Sequence, residues 1–362
     1  MMRPFSLAVA ATLLSMLVPQ SVSAQGFGIG SDPTPSGKGP RLDKQSVERM
    51  EVGVRVTASG GPCKGIAATT PIPMDWPEQK VKVVAEDFNP SVKNVNYRML
   101  NGTVKQMTIN MPFIPPGDNC QAIVTIEITR HTLLAPEDTT IYRIPSPKKL
   151  PASVRGYLGP SPQIECNHAK IRALAKEIAG EKVAKADKQA PADPDAPALP
   201  IVAAGLEVPL EASEIDPAKR TDWQRVEAIY DWVRAHIEYK NGPLKSSIQA
   251  LKDGFGDCEE LSDVFIAICR ASDIPARIVW VPGHCYPEFY LEDAEGHGYW
   301  FPCQAAGNRE FGGISETRPI LQKGDNFQVP ERKDRQRYVA EHLTGAGGQP
   351  QVEFIRRMTG GA

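Results

Sequence analysis

The chain has 362 residues, 41% of them hydrophobic and 23% charged, with 41 basic and 43 acidic side chains for a net charge of −2. That balance offers no basic surface for nucleic acid or for an anionic membrane, and the composition is that of a globular protein of about two domains. Seven cysteines, an odd number, leave at least one thiol without a partner inside the chain.

Met1-Met2-Arg3, an apolar run over 7–18 and the small residues Val22-Ser23-Ala24 predict a signal peptide over 1–24, cleaved after Ala24. The expected localisation is secreted or periplasmic. No later stretch reaches the roughly 20 apolar residues of a membrane helix, so no integral membrane segment is expected after cleavage. Residues 25–47, rich in Gly, Pro and Ser, read as a flexible lead-in.

Period-two alternation then takes over. Val52, Val54 and Val56 share one strand face, as do Val81, Val83 and Ala85. Val124, Ile126 and Ile128 lie opposite Ile123, Thr125 and Glu127. Asn101-Gly102 is a two-residue hairpin signal, which also accounts for the glycosylation-like Asn101-Gly102-Thr103. Short strands separated by Pro and Gly predict an N-terminal β-sandwich domain over 48–145. Cys63 and Cys120 lie beside turns within it and are disulfide candidates in an exported chain.

Residues 146–182 form a connecting segment with a helical pattern at Ile164, Ile171, Leu174, Ala175 and Ile178. Residues 183–220, heavy in Ala, Pro and Asp, read as a linker or exposed insertion. From Asp222, an apolar face of Val226, Ile229, Tyr230, Val233 and Ile237 predicts a helix, with Trp223 and Trp232 read as packing contacts. A short helix over 247–251 follows, then Gly254-Phe255-Gly256.

Asp257 followed by Glu260 forms a capping box and places Cys258 at the first position of an apolar helix. A thiol there faces unpaired backbone N–H groups and the positive end of the helix dipole, which favour the nucleophilic thiolate. The stretch 277–281 reads as a strand, and 284–291 and 299–304 as a hairpin about Ala294. That centring sets His284 opposite Gln304 on the face toward Cys258. It sets Cys285 opposite Cys303 on the other face, as a second disulfide candidate. Glu288 and Trp300 share the His284 and Gln304 side and are candidate substrate contacts. Pro287 suggests an edge strand or a bulge. Cys166, His168, His284, Cys285, His297 and Cys303 follow no zinc-ligand spacing, so neither metal nor cofactor is expected. Residues 323–362, with the charge run at 332–337, read as a partly ordered, charged, Gly-rich tail.

Several features between about 222 and 307 occur together and in order. They are Ile229-Tyr230-Asp231-Trp232-Val233, Gly256-Asp257-Cys258, Arg270 to Arg277 with Ile274-Pro275, His284 with Glu288, and Trp300-Phe301-Pro302. In this the chain resembles the transglutaminase-like superfamily, the papain-related thiol enzymes. The resemblance implies an α+β fold, with the β-sandwich followed by a papain-like transglutaminase core over 221–322 in which the nucleophile helix packs on an antiparallel sheet. It also implies Cys258 as nucleophile, His284 as general base, Tyr286 as the aromatic two residues past the histidine, and a protein or peptide substrate cleaved or transferred at an amide bond through a thioester. The family pattern has an aspartate at or next to the position of Gln304. A glutamine carbonyl can accept the imidazole N–H but brings no charge. The alternative reading is therefore a weakened or inactive module of the same fold that binds without catalysis.

Overall fold

The computed structural model describes residues 38–180 and 215–361. The signal peptide over 1–24, residues 25–37 of the lead-in and most of the 183–220 linker lie outside the described residues, whereas 41–47, expected to be flexible lead-in, belong to the first strand and pair with 129–134. Among those described, no helix is long and apolar enough to cross a membrane.

In chain order, the strands β1 (Arg41–Thr57), β2 (Cys63–Ile72), β3 (Gln79–Phe88), β4 (Asn94–Leu100), β5 (Val104–Ile114) and β6 (Asn119–Leu134) come first. The helices α1 (Ala152–Arg155), α2 (Ala169–Ile178) and α3 (Asp222–His236) follow, then β7 (Glu238–Tyr239), α4 (Ser247–Asp253), β8 (Phe255–Gly256) and α5 (Cys258–Ala271). The strands β9 (Ala276–Val281), β10 (His284–Glu292), β11 (Gly298–Pro302) and β12 (Gln322–Lys323) form the core sheet, and β13 (His342–Gly347) and β14 (Gln351–Gly361) end the chain.

Two four-stranded antiparallel sheets, ordered β14-β1-β6-β3 and β13-β2-β5-β4, make the sandwich. Val52, Val54 and Val56 of β1 and Val124, Ile126 and Ile128 of β6 pack against Ile66, Ala68, Met107 and Ile109. Full burial of each such aliphatic side chain contributes about 1.5–3 kcal/mol. β1 passes so close to β6 that a Cβ at Gly53 would meet the carbonyl of Ala122 at 2.1 Å. Asn101 and Gly102 carry φ of 52° and 74° and turn β4 into β5, as their sequence predicts. The alternation in β3 does not bring burial: this is an edge strand, and Val83 and Val84 are exposed.

The C-terminal stretch differs from the expected tail. β14 pairs with β1 and β13 with β2, so the last strands complete both sheets. Within the charge run, Arg337 is buried. It makes two 2.6 Å bonds to the Asp263 carboxylate of α5 and lies over the Trp280 ring at 5.1 Å.

In the core, α5 is buried from Glu260 to Arg270 and packs on a sheet ordered β11-β10-β9-β12. Trp223 sits among Phe289, Phe301 and Phe311 with ring centroids 5.1–5.6 Å apart, while Trp232 stacks on His236 at 4.2 Å. β10 is an inner strand, not an edge. Pro287 is accommodated because its β11 side is where that ladder ends: Cys303 N donates to Pro287 O, one residue beyond the last pair, Glu288 with Pro302.

This register is offset by two residues from the expected one, and it removes the Cys285–Cys303 bridge. Cys303 falls beside Pro287, while Cys285 points at Ser262 of α5. Cys63 and Cys120 are not bridged either. Cys63 pairs within one sheet and donates to Gly348 O, and Cys120 pairs with Val56 in the other sheet. All seven cysteines are free.

Buried charges join sandwich to core. Lys323 of β12 donates to Glu78 at 2.7 Å and to Glu288 at 2.6 Å, and Arg277 of β9 donates to Glu288 at 3.0 Å. Burial alone would raise the Glu78 carboxyl, but Lys323 and then Arg130 hold it down to about 2.

Candidate active site

Cys258 is placed by the cap of α5. The Asp257 carboxylate accepts from Glu259 N at 2.8 Å, and Glu260 Oε2 accepts from Asp257 N at 2.9 Å. Glu260 Oε1 also accepts from Lys245 N at 2.9 Å, tying the preceding loop to the helix. Only glycine fits at 256, because a Cβ there would lie 2.4 Å from Glu260 Cβ. The helix therefore starts at the cysteine, a partly exposed residue, with the backbone N–H groups of the first turn facing outward.

His284 opens β10 just after Gly283, whose φ of 68° turns the chain out of β9. Its Nε2 lies 2.9 Å from Gln304 Oε1. Its other nitrogen is left free for Cys258, on whose thiol the imidazole acts directly. With the Gln304 carbonyl as acceptor, Nε2 carries the hydrogen. Cys258, His284 and Gln304 are thus brought together, although the two-residue change of register places Gln304 past the end of β11, in a loop.

Electrostatics favour the ion pair. The thiol of Cys285 gives the largest downward effect on Cys258. Burial opposes it, and His284 and the backbone N–H of Cys285 add to it, bringing the Cys258 thiol down to about 5. The helix dipole acts in the same direction. Burial works against a charged His284, but the hydrogen bond to Cys258, the thiolate charge and Gln304 raise its pKa above the ordinary value.

Three residues expected at the site lie elsewhere. Tyr286 is fully buried among Val279, Val281 and Trp76, and its hydroxyl accepts from Arg130 at 3.2 Å. Glu288 is held by Arg277 and Lys323 in the joint with the sandwich. Trp300 packs on Tyr157 and Tyr290, with the Arg277 guanidinium 3.9 Å from its ring centroid. The alternation of β10 groups these residues correctly. The face they share turns toward the sandwich, whereas Cys285 and Phe289 face α5.

Sequence reading missed the supports of the site. Tyr230 Oη donates to Gln304 O at 2.9 Å and accepts from Glu310 N at 3.0 Å. Arg234, one turn further along α3, donates to Gln304 O and Gly307 O. Their i, i+4 spacing was a usable signal. Arg318 Nη1 donates to Pro282 O at 3.0 Å, steadying the turn before His284 while its other nitrogens hold Glu316; no periodicity in its loop announces it. A group of possible metal donors, Asp293, Glu295 and His297, lies away from the site. There Asp293 Oδ1 is engaged by the turn's own N–H groups.

These features define a papain-like α+β core with a thiol at the head of its buried central helix. Residues 212–305 match the model of the transglutaminase-like superfamily. Among solved structures, a candidate cysteine protease from Cytophaga hutchinsonii is similar over 89% of this chain and 92% of its own, with a TM-score of 0.52 at 14% identity, a likeness of fold. The periplasmic domain of TgpA from Pseudomonas aeruginosa, bound to ethylmercury, aligns over 70% of this chain and 89% of its own at 12% identity, with a TM-score of only 0.29. No curated protein matches the sequence.

Proposed function

We propose that this is an exported thiol enzyme that acts on amide bonds of proteins or peptides through Cys258 and His284, with Gln304 orienting the imidazole. The observation that carries the reading is the chain of contacts from Cys258 to His284 and on to Gln304 Oε1, 2.9 Å from His284 Nε2. The Cys258 thiolate attacks the amide carbonyl carbon, and the backbone N–H of Cys258 faces the developing oxyanion. The imidazolium gives its proton to the leaving nitrogen as the C–N bond breaks, leaving a thioester. Water, deprotonated by the now neutral His284, releases the acid; an amine in its place gives a new amide. The neutral Gln304 favours the binding-module alternative, but the acidity of Cys258 favours chemistry.

The test is a peptide amide or glutamine-donor assay with wild type and Cys258→Ala. Loss of turnover in the variant, with unchanged folding by circular dichroism, is expected. Turnover that survives the substitution removes Cys258 from the reaction. A folded wild type inert toward both substrates and toward thiol alkylation leaves the binding module.

A further inference from the structure

We infer that Cys285 is a resolving thiol for Cys258, so that oxidation of the site by a hydroperoxide closes a reversible Cys258–Cys285 disulfide in place of the reactive thiolate. The inference rests on Cys258 being the reactive thiol, and not on the amide chemistry assigned to it.

Cys285 follows His284 on β10, and alternation turns it to the opposite side, onto the first turns of α5. Its sulfur lies 3.9 Å from Ser262 Oγ, which itself donates to Cys258 O at 2.6 Å, one helical turn from the nucleophile. The Cys285 thiol is also the largest single influence on the acidity of the Cys258 thiol, as only a close neighbour can be. The two sulfurs are therefore neighbours, while the other buried thiols of the core lie elsewhere: Cys166 ahead of α2, Cys269 about three turns along α5, and Cys303 past the end of β11. Cys285 is fully enclosed and Cys258 is partly exposed, so a small oxidant meets Cys258 first. Exposed thiolate character with a second thiol alongside is the arrangement of a reversibly oxidised cysteine.

The steps balance. The Cys258 thiolate attacks the distal oxygen of the hydroperoxide, forming an S–O bond and breaking the O–O bond. It becomes a sulfenic acid, and the peroxide, reduced by two electrons, leaves as water or an alcohol after taking a proton. Cys285 sulfur then attacks Cys258 sulfur. The S–O bond breaks, the hydroxyl leaves with the Cys285 proton as water, and the disulfide remains. A dithiol reductant reverses the bond by thiol–disulfide exchange. In the oxidised state the nucleophile is tied into the sheet, so the site is off until it is reduced.

The experiment treats folded wild type with one equivalent of hydrogen peroxide, blocks free thiols, and digests without reduction using trypsin together with a glutamate-specific protease. That cutting leaves Cys258 alone in peptide 253–259 and Cys285 alone in 278–288, separate from Cys269 and Cys303. The expected product is 253–259 linked to 278–288, lost on dithiothreitol treatment. In Cys285→Ser the same treatment is expected to leave Cys258 as a sulfenic acid, trapped by dimedone, which a second equivalent of peroxide carries on to sulfinic acid that dithiothreitol does not reverse. Sulfinic acid at Cys258 in wild type, with no linked peptide, overturns the inference. So does a link that joins only Cys269 and Cys303. A missing link alongside rapid alkylation of Cys258 at pH 6 defeats the switch and leaves the enzyme reading standing. A link in a protein without amide turnover does the reverse.

Discussion

The phenol of Tyr230 donates to the backbone carbonyl of Gln304 at 2.9 Å, and the side chain of that same glutamine meets His284 Nε2 at the same distance. One residue of α3 thus fixes the loop from which the imidazole is oriented. Tyr230→Phe removes this bond and the one accepted from Glu310 N, leaving Arg234 to hold the loop. The expected result is a fall in kcat of roughly 3- to 10-fold with KM little changed, the worth of about one neutral hydrogen bond. Because Gln304 supports the protonated imidazole, the basic limb of the pH–rate profile should also move to lower pH. An unchanged limb would show that Gln304 does not support His284.

Alkylation gives the second prediction. With its thiol at about 5 against an ordinary 9.0, Cys258 should react with iodoacetamide at a rate half-maximal near pH 5, measured by mass spectrometry of peptide 253–259. His284→Ala should move that midpoint upward, since the imidazole is one of the groups that lower it. A wild-type midpoint near 9 would count against the ion pair.

Removing Arg337 leaves the Asp263 carboxylate buried inside α5 without its counter-charge. Burial pushes the Asp263 carboxyl up to about 8 against the pull of Arg337, so Arg337→Met should cost about 1–3 kcal/mol in urea unfolding at pH 7, where the acid can stay protonated, and more at pH 9. Replacing both, Arg337→Met with Asp263→Leu, should recover most of that loss. A single substitution as mild as a surface change would mean that the pair is solvated.

Glu78 sets the acid limit. Its carboxyl is held near 2 in the folded protein against an ordinary 4.5, so it binds protons more weakly folded than unfolded. Its contribution is therefore complete above about pH 4.5 and is lost as pH falls from there toward 2. Urea midpoints measured across that window should decline steeply in wild type and less steeply in Glu78→Gln, whose amide does not titrate.

The start of α5 was legible because its signals are local. Asp257 and Glu260 define the cap within four residues, and the cap fixes where Cys258 stands. The sandwich was legible wherever one strand face is buried, as at Val52, Val54 and Val56. The failures are all non-local. Alternation groups Tyr286 with Glu288 but cannot say which layer covers them, and the Trp76–Arg130–Lys323 side of the molecule comes from distant segments. The two-residue register change in the β10–β11 hairpin keeps side-chain parity, so His284 and Gln304 still meet while Cys285 and Cys303 part. β13 and β14 lack a clean apolar alternation because they are edge strands, and their pairing is decided by β1 and β2.

Those two edge strands bring the end of the chain back to its first strands. β1 has one neighbour, β6, from the same stretch of sequence, but its other flank is closed by β14, where Val52 pairs with Arg356, on the far side of the whole transglutaminase-like core in the chain. Without β13 and β14, β1 and β2 offer open hydrogen-bonding rims of the kind that recruits stray strands from other chains. The core thus sits inside the sandwich's own wiring, like an insert between the two halves of a clasp. A cut anywhere in the core would free the clasp, and the two parts should melt as one body.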